Sequence, residues 1–265
     1  MARLAMVTGA SSGIGEAFAD RLAADGWDLV LVARRRDRLE QVAARLAGAH
    51  GVSAVVLDVD LADGVQLEAL CAESAELGLG MLVNNAALAH YKPFVTLPAG
   101  EAHELVELNV LAPVMLTQAV LPGMVERGEG AVINVASLLA FSGSWDQPYL
   151  PKRAVYAASK SFLLSFTQIL AAELRDTGVR AQVVCPGLVR SEFHTRQGVD
   201  MSEVPRMEPA SVVEASLADL EGGVVVSIPG AEDDSALSAV EAASAALVPS
   251  TRTVELPERY RISSG

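Results

Sequence analysis

The chain has 265 residues, 51% of them hydrophobic, 20% charged and 5% aromatic, and its 20 basic against 33 acidic side chains leave a net charge of −13. An apolar share of this size, with charge spread along the chain, can bury a full core and excludes global disorder. The acidic balance excludes polyanion binding, so no nucleic acid and no membrane surface is expected as a partner.

In chain order, short β-branched runs alternate with longer helical patterns. Leu4–Val7 precedes a helix over Gly13–Ala24, and Asp28–Ala33 one over Arg35–Ala47. Ser53–Leu57 leads to Val65–Leu77, and Met81–Val83 to one long apolar helix over Glu101–Val125. Ala131–Val135 is followed by Val155–Leu174, and Arg180–Val184 by a loop and Ser211–Leu220. Val224–Ile228 comes last, before an Ala/Ser-rich helix over Ser235–Leu247. Strands that are apolar nearly throughout, separated by helices, predict a parallel sheet buried on both faces. Right-handed crossovers then place helices on each side, which makes a doubly wound, three-layer α/β/α fold. No repeat or long linker divides the chain, so one domain over residues 1–265 is predicted. Phe141–Arg153 and Ser191–Pro209 break the pattern as polar loops, and the second reads as a mobile substrate loop. The composition of the tail Pro249–Gly265 says little. Cys71 and Cys185 sit in apolar segments without CxxC spacing, and the N-terminus has no signal-peptide h-region. No uncharged apolar stretch of about 18 residues occurs. A cytoplasmic protein is expected.

Chemistry concentrates at the ends of the predicted strands. Thr8-Gly9-Ala10-Ser11-Ser12-Gly13-Ile14-Gly15 follows the first strand and opens the first helix. There glycines permit a tight turn, and backbone N–H groups can meet a pyrophosphate. The spacing Gly-x₃-Gly-x-Gly also suits a ligand-free strand-to-helix turn, and no Gly-Lys-Ser/Thr follows, which excludes a P-loop. After the second strand, where an acidic residue would accept from a ribose 2′-OH, stand Arg34, Arg35 and Arg36. Guanidinium groups hold a 2′-phosphate, and three cations opposing a helix dipole point to an anionic ligand, so NADP is favoured over NAD. Tyr156 and Lys160 are spaced i,i+4 on one helical face, where an ammonium lowers a phenol pKa and makes it a usable acid or base. Ser137 ends the fifth strand and has a hydroxyl to offer a carbonyl oxygen. Asn109 lies in an apolar helix, where its amide needs partners. Asn84-Asn85-Ala86-Ala87 closes the fourth strand, and Pro186-Gly187 ends the sixth.

With these residues in this order, the sequence resembles the short-chain dehydrogenase/reductase family, of the one-domain type, from Leu4 to about Ser191. Thr8–Gly15 matches its TGxxxGxG cofactor loop, Tyr156-Ala-Ala-Ser-Lys160 its YxxxK, and Asn84–Ala87 its NNAG segment. The resemblance implies a Rossmann-type sheet of seven parallel strands in the order 3-2-1-4-5-6-7. It implies NADP(H) held by Gly9, Ser11, Ser12, Gly13, Ile14, Gly15, Arg34 and Arg35. Further cofactor contacts are implied at Asp60, Leu61, Asn85, Ala86, Tyr156, Lys160, Pro186, Gly187 and Val189. The implied reaction is reduction of a small ketone or aldehyde to an alcohol, or the reverse, with hydride from the cofactor and a proton from Tyr156. In it Lys160 lowers the Tyr156 pKa and hydrogen-bonds the nicotinamide ribose, Ser137 polarises the carbonyl, and Asn109 holds a water in a proton relay.

The sequence departs from the family pattern at three points. Ala87 replaces a glycine, Ser191 stands where threonine is common, and about six extra residues separate Ser137 from Tyr156. Tyr149 lies at the usual spacing, but its i+4 residue is Arg153, so Tyr156 is preferred. A rival from another class is an NADP-binding regulator or scaffold without catalysis, expected to have lost Tyr or Lys. Within the enzymes, an extended-type epimerase or dehydratase fits the glycine spacing poorly. The substrate pocket is expected between His90–Phe94, the Phe141–Arg153 insertion and the 191–209 loop, with Phe141, Trp145, Tyr149 and Phe193 as candidate walls. His90, His103 and His194 lack metal-ligand spacing, so no metal is predicted. The apolar circumference of the 101–125 and 155–174 helices suggests a homodimer or homotetramer.

Overall fold

Alternate residues along the strands serve opposite faces of one sheet. In β1 (Leu4–Thr8) and β2 (Asp28–Ala33), the side chains of Ala5, Val7, Leu29 and Leu31 join one apolar core, and Met6, Val30 and Val32 join another. This period of two, with both faces apolar, is what a sheet covered on each side requires. The computed structural model describes residues 3–146, 150–198, 200–250, 252 and 258–260.

The first core is closed by α1 (Gly13–Ala24), α2 (Arg36–His50) and α8 (Pro209–Glu221), through Phe18, Leu22, Leu39, Leu46, Val212 and Leu217. The second is closed by α3 (Gly64–Glu76), α5 (Ala112–Arg127) and α6 (Ala154–Glu173), through Leu67, Leu70, Leu116, Val120, Met124 and Leu170. With β3 (Ala54–Asp58), β4 (Met81–Asn84), β5 (Gly130–Val135), β6 (Val179–Val184) and β7 (Val226–Ser227), the strands form one sheet in the order β3-β2-β1-β4-β5-β6-β7. Each neighbouring pair is parallel, with Met6 opposite Val30 and Leu82, and Asn84 opposite Asn134. The seven parallel strands and the three layers are those expected from the sequence. The predicted strand Val224–Ile228 shortens to two residues at the sheet edge. The chain divides into two units, Met1–Pro229 and Gly230–Gly265. The first holds the whole sheet, and the second holds α9 (Ser235–Ser250) and a short turn at Glu258–Tyr260.

The helix expected over Glu101–Val125 is longer and interrupted. α4 (Ala99–Val106) passes through a π-helical segment, Glu107–Leu111, into α5. Together they form an apolar run, Ala99–Arg127, long enough by length and composition to cross a membrane, a run the sequence reading did not find. Leu105, Leu108, Leu116, Val120 and Met124 on it are buried in the cores described above and around Tyr156. The π segment carries Asn109, and such single-turn bulges recur at functional sites.

A buried polar ladder ties the site-bearing ends of the central strands together. Asn84 Nδ2 donates to Asn134 Oδ1 at 2.9 Å and to Thr117 Oγ1 at 3.2 Å, and Asn134 Nδ2 donates to Thr167 Oγ1 at 2.9 Å. β4, β5, α5 and α6 are thereby fixed relative to one another by directional bonds beneath the sheet ends, where mispairing would strand buried amides.

Candidate active site

A cavity of about 650 Å³ opens at the carboxyl ends of the strands, where the chain leaves β1 and β4 toward opposite sides of the sheet. That switch point is where open α/β sheets bind ligands. The cavity has two ends of different character, with Tyr156 between them.

One end is a backbone cradle. Gly9 and Gly13 have φ of +66° and +62°, the left-handed region that side chains rarely adopt. Asn85 packs into the turn, donating Nδ2 to the Thr8 carbonyl at 2.9 Å, and a Cβ on Gly15 would lie 2.4 Å from that nitrogen and from the Gly9 carbonyl oxygen. The Thr8 hydroxyl accepts from the backbone N–H groups of Asn85 and Ala86 at 2.9 and 3.0 Å, locking the loops after β1 and β4 to each other. Ser12 precedes α1 without capping it by a side-chain hydrogen bond, so the first turn of that helix presents its N–H groups uncapped. A pyrophosphate suits such a cradle, and the Cβ that each glycine lacks is what lets Asn85, Ala86 and Ser191 pack so closely around the turn.

The arginines after β2 divide their work. Arg35 reaches back over the loop: its Nη2 donates to the Ser11 and Ser12 hydroxyls, both at 3.0 Å. Arg34 lies 3.7 Å from both Asp60 and Glu104, and lines the cavity. Arg36, the first residue of α2, turns away to Glu40 and Asp58. Arg35 also pairs with Glu192 at 3.0 Å, so the three cations are each met by carboxylates of the protein, which weakens the argument that their charge alone demands a ligand. What remains is positional: Arg34 and Arg35 face the cavity, and Arg36 does not line it. Gly9, Ser11, Ser12, Gly13, Ile14, Asp60, Leu61, Asn85 and Ala86 line the same end. Gly15 does not line it and serves underneath, as the residue on which Asn85 rests.

At the centre, Ser137 lies two residues past β5 in extended conformation and caps a 3₁₀ turn over Leu138–Ser144, accepting from the Leu139 N–H at 3.2 Å. Tyr156 and Lys160 rise from the first turns of α6, 6% and 2% exposed. Pro186, Gly187 and Val189 complete the wall after β6. Lys160 Nζ lies 5.8 Å from the Tyr156 ring centroid and donates to the Val135 carbonyl at 2.9 Å. The titration differs from the sequence expectation. Burial pushes the Tyr156 phenol well above its ordinary value, and the nearby Tyr91 adds to this, while a hydrogen bond with Ser137 opposes it. The expected lowering by Lys160 is not found, because desolvation dominates and the ammonium is turned to a backbone carbonyl. Burial pushes Lys160 itself down to about 8, with Cys185 opposing.

Asn109 lies behind this centre and does not line the cavity. Its Oδ1 accepts from the Leu88 N–H at 3.1 Å, and its Nδ2 donates to the Leu88 carbonyl at 2.9 Å and to Ser159 Oγ at 3.2 Å. Ser159 in turn donates to the Tyr156 carbonyl at 2.7 Å. Asn109 therefore braces the loop after β4 against the first turn of α6.

The other end is apolar and built from loops. Tyr91 meets Tyr156 edge-on, with ring centroids 5.8 Å apart, and Phe193 lies against the same ring at 6.0 Å. Leu138, Leu139, Trp145, Leu150, Leu188 and Met201 extend this wall. Trp145 and Phe193 stand where the sequence reading put them. Phe141 is not among the lining residues, and Tyr149 lies outside the described residues. Arg153, the residue paired with Tyr149 by spacing, is spent on the insertion, where it donates to Ser142 Oγ at 3.2 Å and to the Pro151 carbonyl at 3.1 Å. Tyr91, Leu139, Leu188 and Met201 were missed by name. Their only signal was position in the segments following strands. Among the described residues no group of three His, Cys, Asp or Glu side chains could hold a metal ion.

Residues 3–201 match the family model described as short chain dehydrogenase. Sulfoacetaldehyde reductase 2 of Chromohalobacter salexigens is 38% identical over 195 residues, 73% of this chain and 75% of that protein. A short-chain dehydrogenase from Sphingobium yanoikuyae, solved in complex with NADPH, superposes with a TM-score of 0.91 at 34% identity, covering 97% of this chain and all of that one. The bulky-bulky ketone specific alcohol dehydrogenase from Comamonas testosteroni superposes with a TM-score of 0.88 at 30% identity, covering 98% of this chain and 99% of that one.

Proposed function

This chain belongs to the short-chain dehydrogenase/reductase family, an oxidoreductase acting on alcohol or carbonyl groups, and we propose that it uses NADP(H) to reduce a neutral ketone or aldehyde with apolar flanks. One observation carries the reading. A buried phenol, Tyr156, sits at the junction of a glycine-lined backbone cradle and an apolar wall.

The residues divide the chemistry as follows. NADPH, when bound, supplies the hydride. Gly9 and Gly13 line the turn where its pyrophosphate meets the start of α1, Gly15 lets Asn85 pack beneath that turn, and Ser11, Ser12 and Arg35 offer donors to a 2′-phosphate. Tyr156 is protonated at neutral pH, and its O–H is the proton donor for the carbonyl oxygen as charge develops there. Burial raises its pKa and makes it a weaker acid than a free phenol until charge on the carbonyl oxygen draws the proton. Ser137, hydrogen-bonded with Tyr156, has its hydroxyl in the same place to orient that oxygen. Lys160 sets a cation beneath the pair, and Asn109 holds α6 and the Leu88 loop in register through Ser159. A mainly apolar wall of Tyr91, Trp145, Phe193 and Leu139 lines the substrate end, with no charged side chain among them.

The NADP preference is supported by Arg34 and Arg35 at the cavity edge and by the NADPH held by the Sphingobium relative. Oxidation of NADPH against a panel of aryl and alkyl ketones tests the reading, with NADH as the control cofactor. Comparable affinity for both cofactors contradicts the preference, and no turnover of any ketone or aldehyde contradicts the activity. We also propose that α5 and α6 assemble copies of this chain, since Leu111, Val125, Phe162 and Ile169 on and beside them are exposed. A monomer by light scattering at micromolar concentration contradicts that.

A further inference from the structure

Three arginines converge on one carboxylate at the edge of the cofactor end. Glu192 is the first residue of α7 (Glu192–Arg196), on the segment that follows β6. Its Oε2 accepts from Arg35 Nη1 at 3.0 Å and from Arg196 Nη2, and its Oε1 lies 4.0 Å from Arg38 Nη2. These guanidinium groups, Arg196 first and then Arg35, hold its carboxyl below the usual carboxylate range, so it is an anion at neutral pH. The rest of Arg35 is spent on the glycine loop: Nε and Nη2 donate to Ser11 Oγ at 3.3 and 3.0 Å, and Nη2 also donates to Ser12 Oγ at 3.0 Å and to the Ser11 carbonyl at 3.2 Å. Ser11, Ser12 and Arg35 are the same donors assigned above to a 2′-phosphate. The one Arg35 nitrogen that points away from the loop is met by Glu192. The approach is close, since a Cβ on Gly13 would lie 3.1 Å from Ser191 Cβ.

We propose that Glu192 is a specificity-determining residue for the cofactor, a resident anion that competes with the 2′-phosphate of NADP(H) for Arg35. The inference rests on the NADP reading above. A bound 2′-phosphate and the Glu192 carboxylate cannot share the same guanidinium face without like-charge repulsion, so the phosphorylated cofactor binds against the cost of breaking the Arg35–Glu192 pair. NADH carries only a neutral 2′-hydroxyl at that position, which does not compete for the guanidinium, and binds with the pair intact. Glu192 thus lowers affinity for NADPH selectively and narrows the discrimination that Arg35 creates. The pair is partly exposed, so the effect is modest.

Binding rather than turnover is the readout, because α7 also carries Phe193 against the Tyr156 ring. Calorimetric titrations of the wild type, Glu192→Gln and Glu192→Ala with NADPH, NADH and adenosine 2′,5′-bisphosphate test it, with melting curves to confirm that each variant is folded. Both variants are expected to bind NADPH and the bisphosphate about 3-fold tighter or more, with NADH changed less than about 2-fold. Unchanged or weaker binding of the 2′-phosphate ligands overturns the proposal, because it makes Glu192 a support for Arg35 rather than its competitor. Equal tightening for NADH overturns it too. Wild-type affinity that is the same for NADPH and NADH contradicts the NADP reading alone, since a gain confined to the 2′-phosphate ligands in the variants still upholds the competition.

Discussion

The two ends of the cavity are made of different material. The cofactor end is backbone: Gly9, Gly13 and Gly15 shape it, and Thr8 and Asn85 lock it to the loop after β4. The substrate end is side chains on loops, Tyr91, Trp145, Phe193 and Met201, contributed by three segments far apart in sequence. Backbone cradles tolerate few substitutions, because a single Cβ closes them. Walls of loop side chains can be exchanged one at a time, which lets one scaffold serve many substrates. The account therefore predicts that changes at one end leave the other end's ligand alone.

The largest effect falls at the junction, where both ends need the same group. Tyr156→Phe removes the proton donor and is expected to lower kcat for ketone reduction by about 10²–10⁴-fold, with NADPH affinity changed little. Next comes the cradle. Gly15→Ala puts a Cβ 2.4 Å from Asn85 Nδ2 and the Gly9 carbonyl, so it is expected to weaken NADPH binding by about 10-fold or more and to lower Tm by several degrees. A Gly15→Ala protein with normal cofactor affinity breaks the comparison. Arg35→Ala removes charge-assisted bonds and is expected to weaken NADPH by about 10–100-fold while leaving NADH within about 2-fold, read by fluorescence titration.

Smaller effects sharpen the other side. Trp145→Ala is expected to change KM for bulky ketones by about 3–10-fold and to leave NADPH affinity untouched, because it lines the substrate end alone. Weakened NADPH binding in that variant merges the two ends. The smallest effect concerns Lys160, whose folded value of about 8 lies below its ordinary 10.5. The folded protein then holds fewer protons than the unfolded chain between those values, so the cost of burying the ammonium is full below about pH 8 and fades as pH rises toward 10.5. The Tm of Lys160→Met minus that of the wild type is expected to fall between pH 7 and 9. Cys185, raised by burial and lowered by the Lys160 charge, titrates with it, so the difference belongs to the pair and is read below pH 9, where the thiol stays protonated.

The same contrast explains what the sequence revealed. The sheet was legible because its strands are apolar on both faces, and the cofactor loop because only glycine fits at fixed spacing after β1. Tyr156 and Lys160 were legible as an i,i+4 pair. Three things were not. The π segment around Asn109 leaves the hydrophobic period of its helix nearly intact, so one uninterrupted helix was expected over Glu101–Val125. The upward shift of Tyr156 depends on its burial first and then on the nearby Tyr91, both set by tertiary packing. The pairing of Glu192 with Arg35 joins residues 157 apart in the chain, and no local pattern carries such information.

The central claim is that the buried phenol of Tyr156 delivers the proton while the cradle beside it holds the cofactor. It is tested most directly by measuring single-turnover reduction of an aryl ketone by NADPH-saturated wild type and Tyr156→Phe at neutral pH. The account predicts that both bind NADPH equally and that the variant's rate falls by about 10²-fold or more. Equal rates at equal NADPH occupancy would contradict it.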